Sequence, residues 1–343
     1  MKQNDVFFRY VRDFLTTYLP KQRNCSPYTI KSYRETINLY RTFLADERNI
    51  PFVKITFEQF DFTTVCAFLS WLQIKRNCST ATRNQRLAGI NSFLNYAAIQ
   101  DPALVENYLK VKKVPVKKNI RQPVKGLSEA ALRNILEQPD ITNKKGFRDR
   151  FFMILLYDTG ARIQEILDVK VRDICLDVGM QYIRLCGKGN KVRSVPLADR
   201  TAAHLCDYLD QFHPLADRRP ESFLFFTDIK GNRGRMSPEN VACFLRKYGK
   251  SAREKCKEVP EKLHAHQFRH ARATHLYRSG IPLSYIKDFL GHADINTTTI
   301  YATTDLEMMK AALENVRIDK GNTTDKYIWD GNEEMILKLC GLM

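Results

Sequence analysis

The sequence contains no run of about 18 apolar residues, which excludes a membrane-spanning helix of ordinary composition. It contains no Cys-x-x-Cys pair, and its nine cysteines are scattered singly and odd in number. That pattern argues against a disulfide framework and fits reduced thiols in a cytosol. The first residues, "MKQNDVFFRYVRDFL", mix acids, bases and aromatics and do not read as a signal peptide. Acidic residues are in short supply, 38 Asp and Glu against 55 Lys and Arg. Histidine is scarcer still at seven, yet four of the seven fall in "HAHQFRHARATH", 264–275.

What is present is a 343-residue chain, 44% hydrophobic, long enough for two globular domains. A net charge of +17 points to a polyanionic partner, most simply nucleic acid. The basic residues are densest in "LKVKKVPVKKNIRQPVKG", 109–126, which holds Lys110, Lys112, Lys113, Lys117, Lys118, Arg121 and Lys125 with no acid. Two prolines and the lack of periodicity predict an extended linker here rather than a helix. Seven such cations on phosphates would make log K fall by about six per tenfold rise in salt.

The segment before this strap reads as a small helical bundle, 1–108. "SPYTIKSYRETINLYRTFLADE" offers Ser26 as N-cap and Pro27 as first helical residue. Ile30, Tyr33, Ile37, Tyr40, Phe43 and Leu44 then form one apolar stripe. The stretch 79–98 repeats the design with Leu87, Ile90, Phe93 and Leu94 inward. Arg83 and Arg86 are placed off that stripe, as candidate DNA contacts. Shorter helices are expected at about 5–19 and 63–75. Beyond the strap, 127–318 mixes periods. Helices are expected after Ser128, up to Gly160, and at about 199–212, 237–257, 264–279 and 282–290. "MQYIRLCGKGNKVRSVPL", 180–197, reads as two strands around a glycine-rich turn. The expected fold is therefore mainly α with a small antiparallel β-sheet.

A metal is a poor occupant for the histidine cluster. His266 and His270 have the i, i+4 spacing of a helical metal pair, but no glutamate stands between them. Arg269 and Arg272 would repel a dication, and only Cys256 and Glu258 are nearby anionic candidates. The arginines call for an anion instead.

"HAHQFRHARATHLYRSGIPLSYIKDFLGHADINTTTIYA" resembles the H-x-x-R … L-G-H … Y signature of the tyrosine recombinases, the phage integrase family. His266 and Arg269 match H-x-x-R, His292 stands in "LGH", and Tyr301 lies nine residues beyond. "YDTGARIQEIL" is similar to the family box that carries the first arginine, here Arg162. "GKGNKVRSVPL" resembles the strand-turn-strand that carries the family lysine, which falls on Lys188; Lys191 in the same turn is the rival. Ala161 and Gln164 depart from residues common in the family, and neither removes a catalytic group.

This resemblance implies a core-binding bundle and an α/β catalytic domain closing as a C-shaped clamp on DNA. It implies a site-specific recombinase that cuts and rejoins strands through a 3′-phosphotyrosyl link. Tyr301 would be the nucleophile, with Arg162 and Arg269 as the clamp on the phosphate oxygens. His266 would serve as general base or acid, and Lys188 would protonate the departing 5′-oxygen. His292 would hydrogen-bond the phosphate, and Glu165 would orient a base or an arginine. His270 and His275 read as structural, and His264 has no assigned role. The covalent link conserves the bond energy, so no cofactor or metal is implied.

The implied partners are double-stranded DNA with paired inverted half-sites and further copies of the chain. A homo-tetramer would form on two sites, from a monomer or dimer in solution. An accessory bending protein or a partner recombinase remains open, and no membrane is involved. The expected location is a bacterial cytoplasm, with the nucleoid. In the segment 319–343, Met335, Ile336, Leu339 and Leu342 form a short apolar stripe, expected to dock on a neighbouring protomer or to fold back in cis.

The early start of the bundle is expected to leave only the compact classes of the family. Among these, the run "YIKDFLGH" followed by "TTTIYA", with the extended tail, most resembles recombinases of transposons and integrative elements. Integration and excision of a mobile element is therefore the favoured role. Xer-type resolution and DNA inversion stay open. A type IB topoisomerase would share much of the site but relax siteless plasmid. A non-catalytic DNA-binding module would not need Arg162, Lys188 and Tyr301 together.

Overall fold

A computed structural model describes residues 3–118, 126–177, 179–187, 189–229 and 231–291, with 333, 334 and 337 beyond them. The chain divides into two compact units, Met1–Gln122 and Pro123–Met343.

The first unit is all helical: α1 (Gln3–Asp13), continuing as a π-helical stretch Phe14–Gln22, then α2 (Pro27–Arg48), α3 (Phe62–Ile74), α4 (Thr80–Gln100) and α5 (Val105–Lys112). The expected caps form, since Ser26 Oγ accepts from the Thr29 N–H at 3.3 Å and Ser79 Oγ from the Thr82 N–H at 3.2 Å. The core is aromatic. Phe7, Phe14, Tyr40, Phe60, Phe68 and Phe93 are all buried, and Tyr40 stacks on Phe60 with ring centres 4.4 Å apart.

Two expectations are corrected in this unit. The strap does not begin as extended chain: α5 runs on through Leu109–Lys112. The chain leaves helical conformation only by Pro115, while Val111 and Val114 are buried in the core and anchor the segment. Arg83 and Arg86 do not stand clear of the bundle. Arg83 is 5% exposed and donates to the Pro115 carbonyl at 2.7 Å. Arg86 pairs with Glu35 at 3.1 Å and donates to the Ser32 carbonyl and Thr36 hydroxyl. The Asn84 amide exchanges two hydrogen bonds with the Lys117 backbone, at 2.8 and 3.1 Å. Helix α4 thus packs on α2 and on the strap together, so more than its apolar stripe faces inward. The two guanidinium groups serve the carbonyls met there.

The second unit carries α6 (Glu129–Leu136), α7 (Lys144–Thr159), α8 (Ile163–Asp168), β1 (Ile174–Asp177), β2 (Met180–Cys186), β3 (Val192–Pro196), α9 (Asp199–Phe212), β4 (Phe226–Ile229), β5 (Asn232–Arg235), α10 (Pro238–Lys255), α11 (Ala265–Arg278) and α12 (Leu283–Leu290). Strands β1, β2 and β3 form one antiparallel sheet in that order; β4 and β5 form a separate hairpin. The expected hairpin is β2–β3; β1 and the second hairpin are additions. Ile183, Leu185 and Val195 face the core, and Arg193 lies opposite Leu185 on the same inward face.

Helix α7 stops at Gly160, whose φ of 56° is left-handed. A Cβ there would lie 2.8 Å from Leu290 Cδ2 and 3.1 Å from Phe289 Cε1. Gly160→Ala is therefore expected to lower stability by about 1–3 kcal/mol, combining backbone strain with overpacking. Urea unfolding followed by circular dichroism measures this, and an unchanged midpoint would contradict the packing of α12 on this turn.

Candidate active site

The loop after Gly160 delivers Arg162 to the start of α8, and Glu165, one turn on, reaches back to it. Glu165 Oε2 accepts from the Arg162 N–H at 2.9 Å, and Oε1 pairs with Arg162 Nη1 at 2.8 Å. The Arg162 side chain remains 40% exposed whereas that of Glu165 is 3% exposed. Burial alone would raise the Glu165 pKa. Hydrogen bonds and charge from Arg193 and Arg162 outweigh it and hold the carboxyl below its ordinary value.

Arg269 lies on α11 and is 1% exposed. Its Nη1 donates to the Gly160 carbonyl at 2.7 Å and its Nη2 to the Leu290 carbonyl at 2.8 Å. Both carbonyls sit at helix C-termini, of α7 and α12, where backbone acceptors lack intrahelical partners and the dipole is negative. One guanidinium thus closes two helix ends, two residues from Arg162.

His266 precedes Arg269 by nearly one turn, and its ring stands edge-on to His270 at 4.5 Å. Partial desolvation lowers its pKa, and the charges of Arg269, His264 and Arg162 lower it further. His270 is pushed down to about 4 by burial and by His266, Arg269 and His264. Both rings are neutral at pH 7. His275 meets the Tyr157 hydroxyl through Nδ1 at 2.8 Å. His264 immediately precedes α11, and its N–H donates to Gln267 Oε1 at 2.9 Å, so it opens the helix.

The β2–β3 turn brings Gly187 against Glu165: a Cβ on Gly187 would lie 3.1 Å from Glu165 Oε1. The Gly187 N–H donates to the Lys191 carbonyl at 2.8 Å, and Gly189 and Asn190 both take left-handed φ, 77° and 60°. Lys188, His292 and Tyr301 lie outside the described residues, as do Arg121, Lys125 and the stripe Met335, Ile336, Leu339 and Leu342. Of the strap cations described, Lys110 pairs with Glu106 at 2.7 Å and Lys117 donates to Gln73 Oε1 at 2.7 Å. Lys112 lies 5.8 Å from the Tyr108 ring centre, and Lys112, Lys113 and Lys118 are exposed.

Sequence reasoning missed Arg193. Its Nη2 meets Glu165 Oε2 at 2.8 Å and its Nε donates to the Phe289 carbonyl at 3.1 Å. The signal was the strand period: Arg193 shares the parity of the inward Val195. It missed Arg235 too, which pairs with Asp168 at 2.7 Å and also holds Gln164, tying α8 to β5.

These are the residue types and the order of a known family. Residues 125–308 match the phage integrase family model, and residues 11–101 match a phage integrase N-terminal SAM-like domain. The chain belongs to the phage integrase family. Its activity is that of a tyrosine site-specific recombinase. It is 31% identical over 304 residues to the integrase/recombinase y4rC of Sinorhizobium fredii, covering 88% of this chain and 89% of that protein. It is 30% identical over 292 residues to the tyrosine recombinase XerD of Staphylococcus epidermidis, covering 83% and 90%. In fold it is similar to the Tn1549 transposon integrase in complex with transposon right end DNA, with a TM-score of 0.66 at 15% identity, over 93% of this chain and 100% of that one. The XerH site-specific recombinase bound to its difH substrate gives a TM-score of 0.64 at 22% identity, over 92% and 89%. Among the described residues no helix is long and apolar enough to cross a membrane.

Proposed function

We propose that this recombinase integrates or excises a mobile element, acting on double-stranded DNA at paired inverted half-sites as a tetramer across two sites. The observation that carries the chemistry is the placement of His266 nearly one turn before Arg269 on α11, where partial burial first, and then the charges of Arg269, His264 and Arg162, lower its imidazole pKa. Fixed cations beside a proton acceptor suit a phosphodiester whose transition state gathers negative charge. The Tyr301 oxygen attacks phosphorus, its proton passes toward His266, and the P–O5′ bond breaks. Lys188 protonates the departing O5′, and His292 and the two arginines hold the non-bridging oxygens. The exposed strap cations lie along the DNA backbone and make binding salt-dependent.

Neutral His266 sets a pH dependence. With its pKa lowered, the base is lost only on the acid side, below the ordinary imidazole value of about 6.5. Cleavage of a nicked duplex measured from pH 4.5 to 8 is expected to fall by half below pH 6.5, and His266→Gln is expected to remove that limb. A half-fall above pH 6.5 would exclude His266 as the base.

The role itself is tested by denaturing covalent DNA–protein adducts from cells, purifying them and sequencing the attached DNA. Adducts at the ends of one movable segment support integration and excision. Adducts at a single chromosomal site support Xer-type resolution, which the 30% identity to XerD favours as the second reading. Scattered adducts indicate a topoisomerase, and none at all overturns the catalytic reading on that DNA.

A further inference from the structure

We propose that Arg193 is a positioning residue for strand cleavage, serving as the counter-charge that frees Arg162 for the scissile phosphate. The inference rests on the assignment of Arg162 to the phosphate clamp.

The electrostatic count is simple. Glu165 is a single buried negative charge, and two arginines share it: Arg162 Nη1 on Oε1, and Arg193 Nη2 on Oε2, each at 2.8 Å. The Oε2 oxygen also receives the Arg162 N–H at 2.9 Å, so both carboxylate oxygens are occupied. The group of three carries one net positive charge, and Arg162 is its more exposed cation, at 40% against 15% for Arg193. With Arg193 removed, Arg162 would be the one cation paired with this carboxylate among the described residues. In a poorly solvated site that pairing tightens and drains the charge offered to a phosphate.

Arg193 is also fixed from two other directions. Its Nε donates to the Phe289 carbonyl at 3.1 Å, one of the open acceptors at the α12 C-terminus. Gly291 lies against the same guanidinium, where an added Cβ would sit 3.0 Å from Arg193 Nη1. Arg193 and Arg269 therefore hold adjacent carbonyls, Phe289 and Leu290, from opposite elements. The β3 strand, the Arg162 turn and the end of α12 are registered by one side chain. Lysine cannot do this, because a single ammonium lacks the fork that spans Glu165 and Phe289.

The test uses the full chain and a nicked duplex bearing its site, with DNA affinity and cleavage rate measured separately. Arg193→Gln is expected to cut the cleavage rate about 10- to 100-fold, the worth of one charged hydrogen bond, with site affinity within about threefold of wild type. Arg193→Lys is expected to fall between the two. The discriminating measurement is the double variant Glu165→Gln with Arg193→Gln, in which the charge and its counter-charge disappear together. It is expected to recover at least tenfold over Arg193→Gln alone, which a merely structural arginine would not permit. A double variant no faster than Arg193→Gln overturns the proposal, as does wild-type cleavage by Arg193→Gln. Should Arg193→Gln fail to fold, the double variant is compared with Glu165→Gln, and a rate below a tenth of that single variant overturns it. Arg162→Ala run in parallel keeps the two readings apart. If it cleaves at the wild-type rate, the clamp assignment has failed rather than the role of Arg193.

Discussion

Tyr301→Phe is expected to abolish covalent attachment to DNA while leaving site affinity and melting temperature close to wild type. Phenylalanine keeps the ring and removes only the oxygen that would attack phosphorus. One lost hydroxyl is worth about 0.5–1.5 kcal/mol to binding at most, whereas the reaction loses its nucleophile altogether. Among the described residues of the proposed site none replaces it: Arg162 and Arg269 are cations held to carboxylate and carbonyl, and a phosphoryl group on the His266 imidazole would be labile because that ring leaves phosphorus readily. The measurement is a nicked duplex incubated with protein and resolved on a denaturing gel, beside an equilibrium binding titration. A persistent adduct would place the nucleophile elsewhere. Tyr285, 69% exposed on α12, would then be the first alternative to test. Loss of binding along with the adduct would make Tyr301 a contact or packing residue and leave the nucleophile unassigned.

How much of this was legible before any coordinates depended on the kind of signal. The helices of the bundle followed from periodicity and caps, because Ser26 and Ser79 satisfy local backbone donors. The Arg162, Glu165, His266 and Arg269 set followed from the family resemblance together with the chemistry of phosphate. Spacing alone put His266 and Arg269 on one helical face. What stayed hidden was tertiary. No local rule says that the carbonyls of Gly160 and Leu290, far apart in sequence, will meet at Arg269. Arg83 was misplaced for the same reason. A cation beside an apolar stripe reads as solvated until another segment, here the strap at Pro115, folds over it. Arg193 was half legible: its strand parity was inward, but a charged residue facing a core is informative only once the buried Glu165 opposite it is known. The short strands β1, β4 and β5, of four residues each, are too brief for alternation to stand out.

Arg269→Ala separates the two arginines proposed for the phosphate clamp, because one is a structural keystone and the other is not. Arg269 is 1% exposed and fills the junction of α7, α11 and α12. Alanine would leave a large void and strip the Gly160 and Leu290 carbonyls of their donors. Unsatisfied buried acceptors and the lost charge are each costly, so the variant is expected to lose about 3–5 kcal/mol. That is a large share of the 5–15 kcal/mol that typically holds a domain together. Cleavage is expected to fall about a thousandfold in whatever fraction stays folded. Arg162→Ala should behave otherwise. Its side chain is 40% exposed and Glu165 keeps Arg193, so stability is expected to change by about 1 kcal/mol or less while cleavage falls about a hundredfold or more. Urea unfolding and single-turnover cleavage on the same preparations read both quantities. Equal melting of Arg269→Ala and wild type would mean that the two helix ends do not depend on this guanidinium. The charge would then be needed for the phosphate alone, and the difference between the two arginines would vanish.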